Sequence, residues 1–187
     1  MLAYVFWHRP YAHADPARYE DAMLRFHRAL ADGRPPGFVR GASFAIEPVP
    51  WLGDRAGYED WYLIEGSWAM EPLNAFAIAG ATQAPHDTVA ALMEQGHGGL
   101  YGQAGGTTVS APRTTIYWMT RPRGIVWQTA IEALRGRCAQ ADIWRRQMVL
   151  GPAPEFAVEV PGDMAIDIPS GWQARSVKRV RLPRAAA

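Results

Sequence analysis

The chain of 187 residues carries 19 basic and 18 acidic side chains and is 49% hydrophobic, a globular composition that excludes disorder and allows a sizeable core. A formal charge of +1 gives too weak a field to announce a nucleic-acid binder, and no run approaches the roughly 20 apolar residues of a membrane span. The single cysteine, Cys138, excludes an intramolecular disulfide or a cysteine-rich metal site and fits a reducing, cytoplasmic compartment.

In chain order, the run from Met1 to Trp7 lacks a basic leader and reads as a first strand ending in His8-Arg9-Pro10. Asp15-Pro16 is an N-cap followed by proline in the first turn, and Tyr19, Met23, Phe26 and Leu30 give the helix after it one apolar face. Gly33 and Pro35-Pro36 end that helix. A second strand is predicted over 38–46, a long hairpin loop from Pro48 to Gly57, and a third strand over 61–68. Pro72 opens a helix through Leu73, Phe76 and Ala77 that breaks at Gly80, and a further short helix covers about 85–94. Gly102 to Pro112, rich in Gly, Thr and Ser, reads as a connector.

Beyond the connector, Ile116-Tyr117-Trp118-Met119-Thr120-Arg121-Pro122 echoes Tyr4-Val5-Phe6-Trp7-His8-Arg9-Pro10: each is an aromatic-rich run ending in Arg-Pro and leading into a helical pattern. Ile125 or Trp127, then Ile131, Leu134 and Cys138 mark that second helix, with strands expected over 143–150, 156–160 and 177–182. Pro161-Gly162 and Pro169-Ser170-Gly171 leave no place for another helix. The charge is divided as well: 12 acidic and 8 basic residues precede Arg121, while 6 and 11 lie from Arg121 onward, so the portions attract each other modestly.

The order strand, helix, strand, strand, helix begins a βαββαβ unit, whose antiparallel sheet carries its helices on one face. In the first strand Tyr4, Phe6 and His8 point one way and Ala3, Val5 and Trp7 the other, so neither face suits water. Opposing the sheet of the later portion covers the second face. The pattern resembles the dimeric α+β barrel superfamily, through the element order and the run Tyr58-Glu59-Asp60-Trp61-Tyr62-Leu63-Ile64-Glu65 with the helical stretch 70–79 after it. That superfamily includes antibiotic-biosynthesis monooxygenases, EthD-like proteins, stress-responsive barrel proteins and the haem-binding chlorite dismutase group. The resemblance implies an α+β fold of two ferredoxin-like half-units, 1–102 and 113–187 with the connector 103–112, the second lacking a helix, their antiparallel sheets packed face to face as one barrel. A homodimer is a further way to cover what the later half leaves open.

In such a barrel the end of the first strand meets the start of the third, gathering His8, Arg9, Tyr58, Asp60 and Trp61 at one mouth. His8 is the candidate acid or base, since an imidazole titrates near neutrality, and the plain alternative is a satisfied strand-end histidine. Glu65, read as mid-strand, is a second catalytic candidate if it points inward. His97, in Gly96-His97-Gly98-Gly99-Leu100-Tyr101-Gly102, is a third, because glycines permit close approach to a ligand; the alternative there is an ordinary turn. Tyr101, Trp118 and Arg121 join Arg9, Tyr58, Asp60 and Trp61 as ligand-binding candidates. No metal-ligand spacing occurs, Cys138 reads as a small buried hydrophobe, and the arginines of 175–184 read as a charged edge strand.

The expected function is binding, with or without transformation, of a small apolar or aromatic metabolite in a cavity between the sheets, monooxygenase-like by analogy and without a tightly bound cofactor. One rival is a structural or oligomerising protein with a filled core. The other is a haem enzyme, set against which is the position of every histidine at or before His97.

Overall fold

Strict alternation along β1 (Leu2–Pro10) sends Ala3, Val5 and Trp7 to one side and Tyr4, Phe6 and His8 to the other, and the whole architecture follows from covering both. The structure, a computed structural model, describes residues 1–106, 111–139, 141–150 and 153–182. After β1 come α1 (Pro16–Gly33), β2 (Phe38–Val49), β3 (Arg55–Ile64), α2 (Met70–Ala77), α3 (Gly80–Leu92) and β4 (Met93–Gly105). The later portion adds β5 (Arg113–Thr120), α4 (Trp127–Arg137), β6 (Asp142–Leu150), β7 (Phe156–Pro161) and β8 (Gln173–Arg181).

All eight strands join in one closed antiparallel barrel of order β1-β3-β2-β8-β5-β7-β6-β4. The first four strands lie as β4-β1-β3-β2 and the last four as β8-β5-β7-β6, so each set places its own strands in the same relative order. The two sets meet along both edges. β4 pairs with β6 from Gly98↔Leu150 to Gly105↔Ile143, while β2 pairs with β8 only at Phe44↔Arg181, Ala45↔Val180 and Ile46↔Arg179. The expected pair of opposed layers is therefore a single ring, and β8, expected as an edge strand, is an inner member hydrogen-bonded on both sides.

The barrel interior is filled. Trp7, Trp51, Trp61, Trp118, Trp144 and Tyr101 interlock there with Val5, Leu63, Ile116 and Val177, contributed by both sets of strands. Trp7 and Trp118 meet edge to face with ring centroids 5.0 Å apart. Each aromatic side chain withdraws roughly 150–250 Å² from water, worth about 25 cal/mol per Å², so this cluster contributes substantially to folding. The metabolite cavity anticipated between the sheets is thus occupied by indoles, because the inward positions carry tryptophan where a cavity needs small residues.

On the outside, α1, α2 and α3 cover the outward face of the first four strands, and α4 with the segment carrying Ile166 and Trp172 covers the outward face of the later ones. Asp15 caps α1 by accepting from the Ala17 amide at 3.0 Å, and Arg34, in the left-handed region at φ 46°, closes it with its amide on the Leu30 carbonyl. The third strand begins at Arg55, earlier than 61, because Pro50–Leu52 forms a tight 3-10 turn and left-handed Gly53 and Asp54 return the chain at once to pair with β2. Gly96 to Gly102 belongs to β4 and is no loop. A Cβ on Gly98 would lie 2.7 Å from the Tyr4 hydroxyl and one on Gly96 2.5 Å from the Phe6 ring, so bare backbone there admits two aromatic rings. β4 reaches Gly105, into the stretch expected as a connector, and 107–110 lie outside the described residues.

Candidate functional site

Antiparallel pairing of β1 with β3 sets His8 opposite Tyr58 and Phe6 opposite Asp60, so His8, Tyr58 and Asp60 do converge. They do so on the outward face of the sheet, beneath α1 and α3. Trp61, one residue further along β3, faces the barrel interior instead, since neighbours on a strand cannot share a face.

Asp60 is the centre of the group. Its Oδ2 lies 3.2 Å from His8 Nε2 and 3.2 Å from His27 Nε2, and accepts the Tyr62 hydroxyl at 2.9 Å. These imidazole contacts are ion-pair separations, and the Asp60 Oδ1 is buried with no hydrogen-bond partner among the described residues. Burial alone would push the Asp60 carboxyl up, but the His27 and His8 imidazoles outweigh it and hold the group well below the usual carboxylate range. So strong a preference for the anion makes Asp60 a poor proton acceptor and a good electrostatic anchor.

His8 is gripped on its other side, with Nδ1 2.6 Å from the Tyr19 hydroxyl of α1. Burial, and after it the Asp60 charge, push the Tyr19 and Tyr62 hydroxyls up, so both keep their protons at neutral pH. In a neutral His8 the Tyr19 hydroxyl donates to Nδ1 and Nε2 carries the proton. In a protonated His8, Nδ1 donates and the Tyr19 oxygen accepts. The contact serves either state, which suits a group that gains and loses a proton.

A cavity of about 190 Å³ opens beside this cluster between β1, β3, α1, α2 and α3. Its walls are apolar, from Tyr4 and Phe6 on the strand to Met23, Phe26 and Leu30 on α1 and Val89 and Met93 at the other side. His8, Asp60 and Tyr62 supply its polar end, with Asn74 and His86 also on the lining. His27 completes the cluster without having been foreseen. It lies four residues after Met23 on the apolar face of α1 and stacks on Tyr62 at a centroid distance of 5.0 Å, and that helical spacing was the signal that could have found it.

The remaining sequence candidates are dispersed. Tyr58 stacks on His8, its hydroxyl donating to Glu20 at 3.0 Å. Arg9 pairs with Glu94 at 2.7 Å at the strand end. Glu65 is exposed and follows β3, correcting its mid-strand placement. The His97 ring bonds to Gln95 at 2.8 Å, on the same side of the sheet as Trp7 and away from the cavity. Tyr101 lies in the interior cluster, donating to the Pro154 carbonyl, while Trp118 and Arg121 line a separate depression at one end of the barrel. Cys138 is buried at the end of α4, where burial pushes its thiol up and away from nucleophilic use.

Among the described residues no group of three or more histidine, cysteine or carboxylate side chains has the arrangement of a metal site. Haem does not fit this cavity, whose volume of about 190 Å³ is too small for a porphyrin. No described helix is long and apolar enough to cross a membrane.

A second buried charge cluster sits inside the barrel. Arg179 of β8 pairs with Glu59 and Glu159 and donates to Thr114 at 2.7 Å, while the Trp7 and Trp61 indoles donate to Glu59 at 2.8 and 2.6 Å. Burial works against the guanidinium charge, yet the Glu159 and Glu59 carboxylates more than restore it. Sequence reading had placed this arginine on a solvated strand.

No family of known proteins matches the sequence, and no curated protein does either. Among solved structures, a provisionally assigned monooxygenase from Lactobacillus acidophilus NCFM superposes with a TM-score of 0.52 at 8% identity, covering 100% of this chain and 97% of that one. A provisionally assigned chlorite dismutase gives 0.49 at 10% identity, covering 98% and 95%. The first likeness places the chain among α+β barrel folds and shows nothing about chemistry.

Proposed function

We propose that the protein binds a small apolar or aromatic molecule in the cavity beneath α1 and α3 and that His8 exchanges a proton with it. The observation that carries this is the Asp60 Oδ1, a buried carboxylate oxygen without a partner among the described residues, on a side chain at the polar end of a largely apolar cavity. An orphaned acceptor of this kind is costly in an empty protein and is satisfied by a ligand that presents a hydroxyl or N–H. A volume of about 190 Å³ suits one aromatic ring with short substituents. His8, poised between Tyr19 and Asp60, is the acid–base group, and Asp60 and Tyr62 orient the ligand. A reaction with oxygen in the manner of a monooxygenase remains an analogy from fold. The element order supports descent from two ferredoxin-like half-units, 1–102 and 113–187, and ring closure within one chain means that no second copy is needed to cover either sheet. The rival, a purely structural protein, is favoured by the indole-filled interior, but that interior is separate from the cavity.

Thermal unfolding with 4-ethylphenol and with ethylbenzene tests the proposal. The phenol is expected to raise the melting temperature more than the hydrocarbon, and Asp60→Asn to remove the difference. Absence of any stabilisation by either compound would leave the structural rival standing.

A further inference from the structure

One end of the barrel carries a feature that the His8 cavity does not use. There Trp51, from the 3-10 turn Pro50–Leu52, and Trp118, from β5, floor an open depression of about 650 Å³ whose sides include Pro50, Pro122 and Pro154. The two rings stand 6.0 Å apart and nearly perpendicular. Both residues are at most 6% exposed, yet neither indole N–H has a hydrogen-bond partner among the described residues. A buried donor left unpaired is unfavourable, and these two belong to residues that line the depression.

The rim is cationic. Arg121, Arg123, Arg146 and Arg175 line it against one carboxylate, Glu155, so four positive charges face one negative, an excess of three. Three of the four guanidinium groups are held by backbone carbonyls, and among the described residues only Arg121 also meets a carboxylate. Arg146 donates to the Ala153 carbonyl at 2.9 Å, Arg175 to the Pro48 carbonyl at 2.6 Å, and Arg121 to the Ile125 carbonyl, all neutral acceptors. Glu155 engages Arg121 at 3.4 Å and accepts its backbone amide at 3.3 Å. The Arg121 Nε is itself buried and unpartnered. Aromatic faces beneath fixed cations select a flat ring that bears negative charge.

We propose that this depression is a second ligand site, specific for a planar organic anion, an aryl carboxylate or aryl phosphate, and independent of the His8 cavity. Such a ligand would set its ring against Trp51 and Trp118 and its anionic group against the arginine rim.

The test uses the full chain labelled with 15N and three probes with the same ring: 2-naphthoate, 2-naphthyl phosphate and the neutral 2-naphthalenemethanol. Either anion should move the indole N–H resonances of Trp51 and Trp118, assigned through single Trp→Phe variants. It should also bind about tenfold or more tightly than the alcohol, the scale of a partly screened charge-assisted contact. The two anions then show which acidic group the rim prefers. Replacing two exposed rim cations, Arg123→Glu with Arg175→Glu, should weaken anion binding by at least about tenfold, with far-UV circular dichroism confirming an intact fold. Equal affinity for acid and alcohol, unmoved indole signals, or full affinity in the double variant each overturn the proposal. Asp60→Asn should leave anion binding unchanged, and a loss there would place the anion in the other cavity and overturn it as well.

Discussion

Glu59 and Asp60 are neighbours on one strand, both buried carboxylates, and their fates differ completely. Glu59 points into the barrel, where Arg179 and the Trp7 and Trp61 indoles occupy its oxygens. Asp60 points outward, where Tyr62 and two imidazoles crowd one oxygen and leave the other open beside a cavity. A buried charge whose bonding capacity is spent holds a fold together, while one with capacity to spare has a use for a visitor.

Removing the cation from the saturated cluster gives the largest expected effect. Arg179→Met leaves Glu59 and Glu159 buried without their counter-charge and should destabilise the fold by about 3–5 kcal/mol in urea denaturation. A change under about 1 kcal/mol would mean that water reaches the barrel interior and the contrast between the two clusters is one of degree.

The open cluster should instead reveal itself through pH. The folded Asp60 carboxyl is depressed, so its contribution is complete above the unfolded-state value of about 3.9 and is lost as pH falls from there toward the folded value. Urea denaturation followed from pH 5 down to pH 2.5 should show a steep loss in the native chain and a shallower one in Asp60→Asn. Parallel curves would show that the imidazoles do not hold the carboxylate as described.

Tyr19→Phe gives the smallest change, removing one hydrogen bond to His8 at a cost of about 1 kcal/mol. Its value lies in the 15N signals of the His8 ring at fixed pH, where Nδ1 should shift once the hydroxyl is gone. An unmoved Nδ1 signal would make Tyr19 a packing residue only.

The period of two along the strands was enough to bring His8 to Tyr58 and Asp60, because antiparallel pairing of the first and third strands follows from the element order. It could not separate Asp60 from Trp61 until the two faces were assigned, and it expected a cavity inside the barrel, where tryptophan side chains fill the space. His27 escaped because its helix stripe reads as apolar, with Tyr19, Met23, Phe26 and Leu30 around it. Arg179 escaped for a different reason: its partners Glu59 and Glu159 lie on strands that only closure of the ring brings near. A cationic strand looks exposed until distant carboxylates are known to face it. The glycines of β4 were conspicuous in the sequence, but what they accommodate, the rings of Tyr4 and Phe6, belongs to another strand.

The short seam between β2 and β8 has a consequence for assembly on the ribosome. β8 is the last of the eight strands to be synthesised, and it brings the Arg179 guanidinium that pairs with Glu59 and Glu159. Until it docks, the emerging chain holds two carboxylates that resist desolvation, so premature collapse of the earlier strands is discouraged. Closing three residue pairs then does the work of a latch, committing the polypeptide to its final form only once both portions are present.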